Sequence, residues 1–393
     1  MRMLLACIAS SVAAPEYEQA QIVVSGESIT VAFSAELVSG SATDGFTWTG
    51  GAILSGSYTG NTLTLVVAPV VSGQPGGTLA YDSGTGSLSG SGGPVPSFSS
   101  GVTNNSTFAG TWTAVGTTAS WIASSTTKFS ASAFSANDFA YIEDGSDIVS
   151  ARRFNGSTWG SLGSSLSVLG AIQAPAICWM GGTNFAIFNG ATGNAWLRTI
   201  SFDGSSWSLV GSTLTLSGVN TGSALCALSS TRVVLVEASS DTIQAYDWNS
   251  GAGTWSAFGT PISVAGNAQV RITALSSTLV AYADTTGNTV ALYSLSGSTW
   301  SLVSNSTISV GGGSSNEIAV CAMNATDIAL CADDNTVKVY RWSGSAWAVQ
   351  GTTYTVPGTV TGGKTEAVHM GANVIAFMKA ASSNTFLTRL VWE

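Results

Sequence analysis

Charge is scarce in this chain. Only 8% of its 393 residues are Asp, Glu, Lys or Arg, against about a quarter in ordinary globular proteins. Its 12 basic side chains face 21 acidic ones, for a net charge of −9. Basic residues adjoin only at Arg152-Arg153, so a patch able to neutralise phosphates is missing and nucleic acid is not an expected partner. His369 is the only histidine, which excludes multi-His zinc sites and speaks against a Ser-His-Asp triad. The five cysteines, Cys7, Cys178, Cys226, Cys321 and Cys331, are odd in number and widely spaced. They form neither a disulfide framework nor a metal pattern. No apolar run approaches the length that crosses a bilayer as a helix. No glycine-rich phosphate loop precedes a helix, and no cofactor is expected.

What fills the chain is small and aromatic. There are 46 Gly and 13 Trp, with abundant Ser and Thr. Turns need the first group and strands the aromatic and β-branched residues, so an all-β fold is expected. The opening "MRMLLACIASSVAAP" reads as an N-terminal arm over residues 1–16 or, alternatively, as a secretion-signal-like leader.

One phrase recurs six times: "GTWTAVGTT", "STWGSLGSS", "SSWSLVGST", "GTWSAFGTP", "STWSLVSNS" and "SAWAVQGTT". Its tryptophans, Trp112, Trp159, Trp207, Trp255, Trp300 and Trp347, stand 47, 48, 48, 45 and 47 residues apart. Between them, three further strand-like stretches repeat, separated by Ser-Ser, Gly-Gly, Ser-Asp or Asp-Asn. Four strands at a period near 45 indicate a β-propeller. The first Trp strand has no three strands before it. The last unit, ending in Trp392, has three strands and no Trp strand of its own. Pairing the two removes both open edges. This predicts a six-bladed β-propeller over 106–393 with one-plus-three strand closure.

The first strand of each unit aligns Cys178, Cys226 and Cys321 in one column with Ser132, Thr273 and Val368. Cysteines on separate blades stand too far apart for a disulfide, so these are expected as buried free thiols. The next column is Ala133, Trp179, Ala227, Ala274, Ala322 and His369. Trp179 and His369 replace alanine there, either to fill space at the axis or to line a recess at the channel mouth. They are the candidate ligand-binding residues. The six phrase tryptophans are expected to be structural, packing blade on blade.

Catalytic candidates are few. "SFDGSSW" is one residue short of the sialidase Asp box, and only this copy has the Asp, so Asp203 reads as a hairpin-turn residue. Arg152, Arg153, Arg198, Arg341 and Arg389 belong to third strands and do not form an axial triad. Glu143, Asp144, Asp147, Glu237, Asp241, Asp284, Asp333 and Asp334 fall at turns between second and third strands. The Glu143-Asp144-Gly145 and Asp333-Asp334-Asn335 turns offer too few oxygens for Ca²⁺. Neither a catalytic nor a metal residue is assigned.

Residues 17–105 differ in kind. "IVVSGESITVAFSAEL", "GFTWTGG" and "GSYTGNTLTLVVAPVVSGQPGGTLAYD" alternate at period two between Gly and Asn turns, as in a β-sandwich of about seven strands. Gly84–Gly93 reads as a flexible loop within it. Ser28–Phe33, Val70–Tyr81 and the exit Val102–Ser106 make this quarter of the chain resemble the Ig-like module of bacterial surface proteins and tailed-phage virion proteins. The leader likewise resembles the apolar start of such phage proteins. The resemblance implies a virion structural protein of fibre, spike or head-decoration type, present in many copies and partnered by other virion proteins. Uncharged loops suit host-surface glycan, bound without catalysis and without a membrane. A glycoside hydrolase-like propeller and a secreted adhesin are the alternatives.

Overall fold

The computed structural model describes residues 15–22, 27–72, 74, 76–104, 106, 109–119, 129–144, 148–168, 174–191, 194–216, 223–237, 242–264, 270–284, 288–310, 318–331, 336–356, 364–381 and 384–393. Cys7, most of the expected arm, Asp147, Asp241 and the Asp333-Asp334-Asn335 turn lie outside these residues. The chain divides into two compact units, Met1–Gly110 and Thr111–Glu393. Every regular element among the described residues is a strand.

The first unit holds one five-stranded and two three-stranded sheets. Ser28–Phe33 and Thr62–Val67 pair antiparallel and bury alternate residues. Ile29, Val31, Phe33, Leu63, Leu65 and Val67 therefore enter one core with Leu79 and Tyr81, as period-two strands with one wet face should. Tyr17–Ile22 pairs antiparallel with Ser28–Phe33 and parallel with Thr103–Asn104. The Asn104 carboxamide donates to the carbonyls of Val71 and Gln74 (2.9 and 2.8 Å), tying the exit segment to the loop beside it. The expected Gly84–Gly93 loop is more ordered than its composition suggests: Ser89–Gly90 and Gly93–Pro94 form a two-strand ladder within it.

In the second unit the strands form six antiparallel groups of four, the fourth with an added short strand, Ile308–Ser309, and the sixth completed by Trp112–Ala119 from the start of the unit. The third and fourth are joined by one parallel bridge, Thr260↔Thr299, into a nine-stranded sheet. The first strands are Phe129–Ala133, Ala176–Gly181, Ser223–Ser229, Val270–Ser276, Ala319–Ala322 and Lys364–His369. Each neighbours the next, and the last neighbours the first, so the groups form a closed, propeller-like ring. Second strands are apolar on both faces, as in Phe139–Ile142, Phe185–Phe188 and Val233–Val236. Alternation is absent because each is covered by a sheet on either side. Five core clusters are accordingly shared between consecutive groups.

Trp112–Ala119 pairs antiparallel with Asn384–Trp392, placing Trp112 opposite Trp392. The same register sets Trp159 opposite Phe154, Trp207 opposite Phe202, Trp255 opposite Trp248, Trp300 opposite Leu295 and Trp347 opposite Trp342. The five aromatic pairs have ring centroids 4.4 to 6.3 Å apart. Reciprocal backbone bonds between Thr111 and Glu393 (2.8 and 2.9 Å) extend the ladder past the tryptophans.

The remainder of the phrase joins neighbouring groups. Four residues after the Trp, Gly116, Gly163, Gly211 and Gly259 adopt φ between +66° and +79°, a left-handed bend that glycine tolerates best. The next residue then donates its N–H to the hairpin of the following group: Thr117 to Ser157, Ser164 to Ser205, Ser212 to Gly253 and Thr260 to Ser298 (2.7 to 3.1 Å). In the fourth group Ser304 stands in the glycine column, and the positive φ moves to Asn305 (61°). There the carbonyl of Ser306 instead accepts a bond from Trp347 Nε1 (2.7 Å).

Candidate functional site

The first strands enclose a cavity of about 230 Å³ lined by residues of all six groups. Small residues leave this space open: Ser132, Cys178, Cys226, Thr273 and Cys321 all line it. Hydroxyls here also cover edge N–H groups that another strand would otherwise engage. Ser130 Oγ accepts from Ile177 N (3.2 Å), Ser132 Oγ from Trp179 N (2.9 Å), and Thr273 Oγ1 from Ala322 N (3.0 Å). Burial pushes the thiols of Cys178, Cys226, Cys321 and Cys331 well above their usual pKa. They stay protonated, so they are poor nucleophiles and poor metal ligands.

Trp179 and His369 both line this cavity. They belong to the second and sixth groups, so Ala133 of the first group lies between them in the column. One device orients both rings. Trp179 Nε1 donates to the carbonyl of Gly182 (3.0 Å), and His369 Nε2 donates to that of Ala372 (2.7 Å). Each acceptor stands three residues on, at a left-handed φ of 56° for Gly182 and 47° for Ala372. A carbonyl only accepts, so His369 carries a proton on Nε2. Burial lowers its pKa, partly offset by the bond to Ala372. The ring is therefore neutral at pH 7, with Nδ1 an acceptor. Trp179 keeps 36% of its surface exposed, whereas Trp112, Trp159, Trp207, Trp255 and Trp300 are buried and Trp347 is partly buried.

The six phrase tryptophans are not brought to the cavity. They stand at the starts of fourth strands, and Trp112, Trp159, Trp207, Trp255 and Trp300 are buried. Asp203 caps its hairpin: Oδ1 accepts from the N–H groups of Ser205 and Ser206 (2.8 and 2.7 Å). These bonds, with those from the two serine hydroxyls, hold its pKa far below the usual carboxylate range. Asn155 and Asn249 cap the equivalent hairpins of neighbouring groups in the same way.

The carboxylates differ from expectation. Glu143, Glu237 and Asp284 are not exposed turn residues. Each is the buried last residue of a second strand. Burial raises the pKa of Glu143, with Arg152 opposing the rise. None of the three lines the cavity. Among the described residues, no group of three or more His, Cys, Asp or Glu side chains could hold a metal ion.

Two wall residues escaped the sequence reading. Arg271 and Glu366 line the cavity, with Arg271 Nε 3.6 Å from Glu366 Oε2. Arg271 also donates to the carbonyls of Val270 (3.0 Å) and Thr365 (3.2 Å). The pair links the fourth and sixth groups across the fifth. A signal existed: two places before the Cys column, four groups carry Ser130, Ala176, Ala224 and Ala319, and the other two carry one cation and one anion. This column lies about 10 Å along the strand from that of Trp179 and His369, at ~3.3 Å per residue.

No protein-family model matches the chain, and no curated protein matches it. Among solved structures, a protein of unknown function from Bacteroides thetaiotaomicron is similar over 96% of this chain and 98% of its own, with TM-score 0.52 and 9% identity. The six-bladed fucose-binding lectin of Aleuria aurantia aligns over 68% of this chain and 94% of its own, with TM-score 0.48 and 18% identity. The SapL1 lectin, in complex with α-methyl fucoside, aligns over 69% and 94%, with TM-score 0.48 and 17% identity. Such identities speak to fold alone, and TM-scores below 0.5 bear no weight for function.

Proposed function

We propose that this chain is a non-enzymatic glycan-binding protein. In this reading the second unit is a six-bladed β-propeller closed by one strand from its start and three from its end, and the first is an Ig-like β-sandwich. The pairing of Trp112 with Trp392 and the cyclic neighbouring of first strands support the propeller. The parallel pairing of Tyr17–Ile22 with Thr103–Asn104 is in keeping with a sandwich. The binding reading is carried by one observation: a half-exposed, hydrogen-bond-fixed Trp179 ring on the wall of an axial cavity rich in Ser, Thr and Ala. An aromatic face suits the C–H face of a sugar ring, and the neighbouring hydroxyls and Nδ1 of His369 suit its polar edge. A glycosidase needs two opposed carboxylates. Among the described residues the cavity wall carries one, Glu366.

The resemblance of residues 28–33, 70–81 and 102–106 to tailed-phage modules supports a place in a virion, as fibre, spike or head decoration, with the first unit docking on other virion proteins. Many copies then multiply a weak site by avidity.

Titration of the full chain with host oligosaccharides, followed by calorimetry and Trp fluorescence, tests the site. Saturable binding is expected, with a loss of about 30-fold or more in Trp179→Ala, as for a buried aromatic anchor. Unchanged binding by this variant overturns the assignment. Mass spectrometry of purified particles tests the virion placement.

A further inference from the structure

We infer that the axial cavity takes a single uncharged sugar residue, selected by the Arg271–Glu366 pair at the end away from Trp179. This rests on the glycan-binding reading above and narrows it to a ligand class. Size is the first constraint. About 230 Å³ exceeds the roughly 150 Å³ of an engineered cavity that holds one benzene, so there is room for one pyranose ring.

Charge is the second. Among the described wall residues, Arg271 and Glu366 are the two that carry formal charge at pH 7, because the thiols remain protonated and His369 is neutral. They cancel. Both side chains are largely buried, at 15% and 10% exposure, so a uronate or an ammonium sugar would bring an uncompensated charge into a poorly solvated space. A neutral polyol brings none. Adjacent hydroxyls also match the pair, one accepting from the guanidinium and the other donating to the carboxylate.

The experiment compares matched sugars on the full chain: neutral hexoses and deoxyhexoses, the corresponding uronic acids, and the corresponding amino sugars, by calorimetry at pH 7. Neutral sugars are expected to bind at least tenfold more tightly than either charged form. Glu366→Gln leaves the wall positive and should improve the uronate-to-neutral affinity ratio at least tenfold. A wild-type protein that binds uronates or amino sugars as well as their neutral parents overturns the inference, and this arm needs no variant to fold. A folded Glu366→Gln protein with an unaltered ratio also overturns it. Trp179-dependent binding without charge discrimination removes this inference alone. Absence of any saturable sugar binding removes the glycan-binding reading and this inference together.

Discussion

At the scale of single residues, the glycine of the repeated phrase is set by two independent requirements. Gly211 has φ +68°, and a Cβ there would stand 2.4 Å from the carbonyl oxygen of Gly253. Gly156 also has a positive φ, +102°, but a Cβ there meets nothing within 4 Å. Gly211→Ala should therefore cost about 2–4 kcal/mol, strain and clash together, and Gly156→Ala about 1 kcal/mol from strain alone. Urea midpoints of the second unit measure the difference, and equal losses would refute the contact argument.

Three Arg–Asp pairs occupy one register position in alternate groups: Asp138 with Arg153, Asp247 with Arg232, and Asp327 with Arg341. Their environments differ. Arg341 and Asp327 are 7% and 0% exposed and bonded through both oxygens at 2.6 to 2.7 Å, whereas the Arg153 side chain is 56% exposed. Arg341→Ala strands a buried carboxylate and is expected to cost about 3–5 kcal/mol. Arg153→Ala, at a solvent-screened pair, should cost far less. Asp138 adds a pH dependence. Burial opposes its ionisation, but hydrogen bonds from Arg153 and Ser135 outweigh this and lower its pKa. A depressed folded value means its contribution is whole above the unfolded pKa of about 3.9 and lost as pH falls through the folded one. The stability gap between wild type and Asp138→Asn should thus hold at pH 7 and shrink below about pH 4. A constant gap would contradict the assignment.

At the scale of elements, the repeat was legible because its parts do different physical work. Trp fills a position opposite a large third-strand residue, Gly makes the bend, and Ser or Thr follows with the bond to the next hairpin. Even the exception shows in the text. "STWSLVSNS" lacks the glycine, and that strand is the one that breaks, into Thr299–Leu302 and Ile308–Ser309. Trp179 and His369 were visible as intruders in an alanine column. The Arg271–Glu366 pair was harder to see, because its partners come from groups that are not consecutive and each residue breaks its column only once. Glu143, Glu237 and Asp284 were misjudged for a related reason. Acidic residues near Gly, Ser and Asn read as turn, and only the ladder shows that they still belong to buried strands. In the first unit, alternation identified the long strands. It missed two-residue ladders such as Ser89–Gly90 with Gly93–Pro94, which carry no periodicity.

For the whole molecule, the decisive bond is the one between the outermost strand and the final three. Trp392 is buried against Trp112, and Trp392→Ala should cost about 3–5 kcal/mol, as for other buried aromatic truncations. Its signature should be local. Limited proteolysis is expected to cut first within 112–119, whereas a substitution that loosened the ring generally would spread cleavage over all six groups. Sugar binding by this variant at low temperature should persist, since no residue of the closing ladder lines the axial cavity.

Thr113 and Glu393 are bonded although 280 residues apart in the chain. A ribosome working at about 5–20 residues per second spends tens of seconds between making one and the other. Through that interval the strand at 112–119 lacks its strand partner, Asn384–Trp392, and its unpaired edge is open to that segment of another copy. Crowded synthesis therefore favours exchange of this strand between chains, and slower initiation is a direct way to limit it.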